Sequence, residues 1–192
     1  AAKYAGADAV KFQLFESQKL WGDDRITHLE LSKDAMKAMA AHCREIDIEF
    51  MCTPFDTDAV KFLTPLVKRM KVASSCRKPG IIIEVYVTRL PVIISTGMCD
   101  LDELQWVVDS KPEETDLTLL QCTSCYPCAT EDANLRAMVA LRNRYFCKVG
   151  FSDHTTSLLA PALAVSMGAT IIEKHLTFGS NAEGPDHKAS LE

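Results

Sequence analysis

Lys148-Val149-Gly150-Phe151-Ser152-Asp153-His154 and Thr170-Ile171-Ile172-Glu173-Lys174-His175 are two strand-like runs that each end in a histidine, and Ser157 to Met167 between them reads as a helix. A strand, a helix and a second strand in succession make the two strands parallel neighbours, about 4.8 Å apart. His154 and His175 then leave the same edge of one sheet, close enough to share a metal ion. Two neutral imidazoles suit a divalent transition metal and leave positions open for water or substrate.

Working outward, similar apolar or β-branched runs recur at Ala9 to Leu14, Ile48 to Thr53, Met70 to Ser74, Val92 to Thr96 and Leu117 to Thr123. Helical patterns separate most of them: Ser32 to Glu45 with Ser32 as N-cap, Asp56 to Val67, Asp100 to Val108 and Asp132 to Arg142. Strands and helices that alternate roughly every 20 to 30 residues mean βα units and a parallel sheet. Polar residues gather at the C-terminal ends of the strands, where an eight-stranded TIM barrel carries its site, and no glycine-rich nucleotide loop marks a doubly wound sheet. The expectation is an α/β chain, a TIM (β/α)8 barrel lacking its first strand, with residues 1–192 as one incomplete barrel domain. Cys76 to Leu90 fits least well: it is β-branched without a clear helical face and reads as an unusual fourth helix. Both ends read as cut, Ala1 to Gly6 as the glycine-stopped end of one helix and Lys188 to Glu192 as the start of another.

At 192 residues and 47% apolar, the chain can bury one sizeable core. Its net charge of −5 argues against nucleic acid held by phosphate contacts. No run reaches the roughly 18 apolar residues of a membrane span. The eight cysteines are scattered through apolar segments, which suits reduced thiols in a cytoplasmic protein. Cys122, Cys125 and Cys128 have the spacing of a metal cluster, but a nearby fourth ligand is missing and Pro127 stiffens the run, so packing is the simpler reading.

The strand ends supply a coherent set of candidates: Lys11 and Gln13, Thr53, Lys71 and Ser74, Ser95 and Thr96, Thr123, Ser124 and Tyr126, Ser152 to His154, and Glu173 to His175. Two lysines with several hydroxyls suit a phosphorylated, anionic ligand. Each residue alone has an ordinary structural reading, a solvated lysine or a histidine capping the next helix. Their coincidence at one expected rim favours a site.

Lys11-Phe12-Gln13, Cys52-Thr53-Pro54-Phe55-Asp56, Lys71-Val72-Ala73-Ser74, Ser95-Thr96-Gly97-Met98, Gln121 to Pro127, Glu131 to Leu135, Gly150 to Thr155, Glu173-Lys174-His175 and Gly184 to Leu191 appear in order. Together they resemble the sialic acid synthase family, which includes N-acetylneuraminate synthase and its legionaminic, pseudaminic and spore-coat polysaccharide relatives. The resemblance implies a barrel that condenses phosphoenolpyruvate with N-acetylmannosamine or a related amino-sugar aldehyde, giving a nine-carbon 2-keto acid and phosphate. It implies a divalent cation, Mn2+ or Mg2+, on His154 and His175 with Glu173 beside it. It further implies a phosphoenolpyruvate site of Lys11, Lys71, Thr53, Ser74, Ser95, Ser124 and Ser152, and a sugar site that includes Gln13, Tyr126 and Asp186. A homodimer is implied for the full-length parent.

Three departures stand beside the match. The family's first-strand glutamate is not in the chain, nor is the C-terminal antifreeze-like domain that supplies an arginine to the partner's site. After Ser74, Ser75-Cys76-Arg77-Lys78 stands where the family carries an acidic, asparagine-containing loop. Two alternatives therefore remain open: another phosphoenolpyruvate-dependent aldose-condensing synthase, and a truncated barrel that binds ligand or oligomerises without turnover.

Overall fold

The computed structural model describes residues 1–192. Strands and helices alternate along it as the hydrophobic spacing predicts, with parallel pairing that makes the chain α/β. It divides into two compact units.

The first unit comprises Ala1–Val92 and Ser110–Asp116. It opens on a turn in which Ala7 N donates to Ala2 O and Gly6 N to Lys3 O, both at 3.1 Å, with Gly6 at φ +84°. This is the glycine-stopped turn expected there. Then come β1 (Ala9–Leu14), α1 (Ser17–Trp21), α2 (Lys33–Glu45), β2 (Glu49–Pro54), α3 (Thr57–Leu63), β3 (Met70–Val72) and α4 (Pro79–Val87). The sequence reading has no counterpart to the one-turn helix α1. β1 pairs in parallel with β2, Lys11 opposite Met51 and Gln13 opposite Thr53. Ser32 caps α2 by accepting from Ala35 N (3.1 Å), and Asp56 caps α3 by accepting from Ala59 N (2.7 Å). α3 stops at Leu63, short of the expected Val67, because Pro65 lacks the N–H that another turn needs.

The doubtful segment is a helix, α4, and its face becomes visible only in the fold. Ile81, Ile82, Val85 and Tyr86 are buried, whereas Ile83 and Val87 are exposed. Apolar residues on both sides erase the amphipathic contrast in the sequence. Pro79 at the first turn has its φ pre-set for a helix. Burying each large side chain contributes about 1.5–3 kcal/mol, more than the few tenths by which isoleucine and valine disfavour a helix.

The second unit comprises Ile93–Asp109 and Leu117–Glu192. It carries β4 (Val92–Ser95) from Ile93 onward, α5 (Leu101–Asp109), β5 (Leu117–Cys122), α6 (Leu135–Tyr145), β6 (Lys148–Asp153), α7 (Leu159–Ser166) and β7 (Ile172–Lys174). These strands neighbour one another in chain order, and β6 lies parallel between β5 and β7. β5 is buried at every position and β6 at all but Lys148, the pattern of strands covered on both faces. α6 packs on β5 and β6, and α7 on β6 and β7. α6 begins later than the expected Asp132, because Thr130–Ala133 forms a 3-10 turn and Asn134 takes a left-handed φ of +48°. The last residues do not start a helix. His187–Ala189 is a 3-10 turn, after which Leu191 N donates to His175 O (2.9 Å) and Thr177 N to Leu191 O (2.7 Å). No helix is long and apolar enough to cross a membrane.

Gly150 sets the closeness of the strands in this unit. A Cβ there would lie 2.4 Å from Ile171 O and 2.6 Å from Leu120 Cδ2. Gly150→Ala is expected to destabilise the protein by about 1–3 kcal/mol through overpacking, seen as a lower urea midpoint in chemical denaturation.

Candidate functional site

In the first unit, side chains alternate along each strand, so the β1–β2 register places Lys11, Gln13 and Thr53 on one face of the pair. Thr53 is 1% exposed and its hydroxyl has no hydrogen-bond partner. A buried unsatisfied hydroxyl costs about 1–3 kcal/mol, a cost that a ligand oxygen would remove. Lys71, the middle residue of β3, is also 1% exposed, and its Nζ donates to Val72 O at 3.0 Å. Ser74 opens the 3-10 turn after β3, and its carbonyl accepts from Arg77 Nη1. Burial pushes the Cys52 thiol up to about 12, with the Lys11 charge opposing, so Cys52 stays a neutral core residue.

In the second unit, the last register pair of β6 and β7, Asp153 with Lys174, delivers His154 and His175 side by side, their ring centroids 5.6 Å apart. Tyr126, in the loop after β5, lies 4.0 Å from the His154 ring and edge-on to His175 at 5.7 Å. His154 Nδ1 is 2.8 Å from Thr123 O. A carbonyl only accepts, so Nδ1 carries the proton and Nε2 presents its lone pair. His175 Nδ1 lies 3.7 Å from Asp186 Oδ2, which favours the same arrangement on the second ring. One register pair earlier, Ser152 Oγ donates to Glu173 Oε1 at 3.0 Å.

Burial favours the neutral form of His154, but its contacts with Cys122 and the Thr123 carbonyl and the charge of Glu173 outweigh that and raise its pKa. Burial also pushes the Tyr126 phenol up, helped by the negative groups around it, so the hydroxyl keeps its proton. The donor set fits a divalent cation: two imidazoles, each with Nδ1 turned to an oxygen, is how metal-binding histidines are oriented. No group of three or more His, Cys, Asp or Glu side chains converges as a complete ligand set, so a cation on this pair would keep positions for water or substrate.

Ser95 is buried at the end of β4. Ser124 lines a cleft of about 460 Å3 together with Thr96, Cys99, Gln121 and Asn134. Of the cysteine trio, Cys122 ends β5 with Sγ 4.0 Å from His154 Nδ1, Cys125 is exposed and Cys128 is buried. The Thr123 carbonyl that orients His154 is a contact the sequence does not announce, because a backbone oxygen leaves no mark in residue identity. Asp186 likewise had no signal in periodicity or spacing, and the structure brings it to His175 through the loop after β7.

The model of the NeuB family matches residues 1–192. The chain is 39% identical to the N,N'-diacetyllegionaminic acid synthase of Legionella pneumophila, over all of this chain and 62% of that protein. It is 34% identical to the N-acetylneuraminate-9-phosphate synthase of Mus musculus, over all of this chain and 59% of that protein. Among solved structures, the N-acetylneuraminic acid synthetase of Leptospira borgpetersenii, in complex with citrate, superposes with a TM-score of 0.94 at 31% identity, covering all of this chain and 70% of that one. The chain thus spans roughly three-fifths of the length of these curated relatives.

Proposed function

The chain belongs to the NeuB family along its whole length, and from that premise we propose that it is the synthase part of an enzyme condensing phosphoenolpyruvate with an amino-sugar aldehyde of the N-acetylmannosamine type. The products are a nine-carbon 2-keto acid and phosphate. The proposal includes a TIM barrel completed by a further strand, and a homodimeric parent. The observation that supports it most is the histidine pair: two rings 5.6 Å apart, one with its Nδ1 bonded to Thr123 O and the other facing Asp186, both leaving Nε2 for a ligand.

C3 of phosphoenolpyruvate forms the new bond to the aldehyde carbon, water adds at C2, and phosphate departs. A divalent cation on His154 and His175 would supply Lewis-acid polarisation of the aldehyde oxygen. Lys11 and Lys71 hold the phosphate charge, with Thr53, Ser74, Ser95, Ser124 and Ser152 as hydrogen-bond partners of the anionic donor. Glu173, kept as an acceptor by the Ser152 hydroxyl, takes the proton from the water that adds at C2. Gln13, Tyr126 and Asp186 contact the sugar hydroxyls and amide.

The test is calorimetry with phosphoenolpyruvate and Mn2+, followed by phosphate release with N-acetylmannosamine, its phosphate and dideoxy-diamino analogues. Both ligands are expected to bind, and phosphate is expected only when an amino-sugar aldehyde is present. Release with simple aldoses but with no amino sugar would replace this reading by another aldose-condensing synthase.

A further inference from the structure

We propose that the buried ion pair Asp153–Lys174 is a positioning device that sets the spacing of His154 and His175 and thereby the affinity for a divalent cation; the inference rests on the metal reading of that histidine pair. Lys174 Nζ lies 2.7 Å from Asp153 Oδ2, with side-chain exposures of 8% and 0%. The two residues form the last register pair of β6 and β7, immediately before the two histidines.

Alternation along the strands separates their role from that of the site itself. Ser152 and His154 share one face of β6, and Glu173 and His175 share the matching face of β7; the Ser152–Glu173 bond and the adjacent rings lie on that face. Asp153 and Lys174 therefore project from the opposite face, away from any substrate the histidines would meet. Their remaining bonds close around the chain just past His154. Asp153 Oδ1 accepts from Thr155 N (2.8 Å), and Lys174 Nζ donates to Thr155 O. The peptide following His154 is thus tied through both its neighbouring polar groups to the residue that precedes His175.

Such a tie is needed here because β7 contributes only Ile172–Lys174 to the register. A short strand leaves few backbone bonds to hold the second histidine. Stability alone gives no reason for the pair, since replacing a buried ion pair with apolar residues is often neutral or stabilising. Fixing one strand end against another is a use that directed, charge-assisted bonds serve and apolar packing does not.

The experiment measures Mn2+ binding to the chain by the electron paramagnetic resonance of free Mn2+, and counts coordinated imidazole nitrogens by electron spin-echo modulation. The parent is expected to bind with two nitrogens and His154→Ala to lose that signature; a parent that binds no Mn2+ overturns the metal reading and this inference with it. Given a binding parent, Lys174→Met is expected to weaken Mn2+ about 10- to 100-fold, as loss of an outer partner does, and to show fewer than two nitrogens. Lys174→Arg, which keeps the charge, is expected to restore most of the affinity. Lys174→Met that remains folded by circular dichroism and binds Mn2+ like the parent, with both nitrogens, overturns the positioning role while leaving the metal reading intact. Should Lys174→Met not fold, the neutral double variant Asp153→Asn/Lys174→Gln takes its place, with the same weakening expected; parent-like binding, or failure of that variant to fold, makes the pair a folding element and overturns the inference.

Discussion

His154→Asn is expected to abolish Mn2+ uptake at concentrations that saturate the parent, and with it amino-sugar-dependent phosphate release, while the fold survives. Asparagine is chosen over alanine because of the tautomer. Its amide N–H sits near the place of Nδ1 and can keep the bond to Thr123 O, now 2.8 Å long, while nothing replaces Nε2. The substitution thus removes the ligand atom and spares the contact that orients the residue. With only two protein imidazoles in the set, losing one removes half of the protein's nitrogen donors, so affinity should fall by more than the roughly 10- to 100-fold seen for outer partners. His154→Ala adds a cavity and frees the Thr123 carbonyl in a residue only 4% exposed, so it should lower the melting temperature as well. Isothermal titration with Mn2+, paired with thermal melts, separates the two effects. A His154→Asn protein that binds Mn2+ like the parent would remove His154 from the ligand set.

How much of this was legible beforehand depends on whether the information sits in residue identity or in packing. The alternation of strand and helix was readable because β5 and β6 are buried apolar runs bounded by helices with their own caps, such as Ser32 and Asp56. The adjacency of His154 and His175 followed from one βαβ unit, and the rings do lie together. The α4 helix was obscured because both its buried and its exposed positions are apolar. Boundaries slipped where a backbone event intervened: Pro65 ending α3 and left-handed Asn134 delaying α6. The site's orienting groups were the least legible. Thr123 acts through its carbonyl, and Asp186 arrives by a loop, so neither belongs to any periodic pattern. Asp153 and Lys174 were visible as polar strand-end residues, yet only the register shows that they face each other.

Lys71→Met is expected to move binding and stability apart. Methionine nearly matches the length and volume of the lysine stem, so it fills the space of a residue that is 1% exposed without overpacking. The bond from Nζ to Val72 O is lost, a net loss of about 1 kcal/mol. Burying a thioether in place of an ammonium relieves desolvation, which offsets that loss. The melting temperature should therefore stay within about 4 °C of the parent, the shift that roughly 1 kcal/mol produces in a chain of this size. Phosphoenolpyruvate binding should not be spared. Removing one partner of a buried, charge-assisted contact costs about 2–5 kcal/mol, which is about 30- to 4,000-fold in Kd. Lys11→Met should move affinity in the same direction but less, because Lys11 is only half-buried on β1 and solvent screens its charge. Calorimetric titration of both variants with phosphoenolpyruvate checks the order. If Lys71→Met melts like the parent and still binds phosphoenolpyruvate with unchanged Kd, the buried ammonium is a structural element of β3, and the anion must be held by other groups.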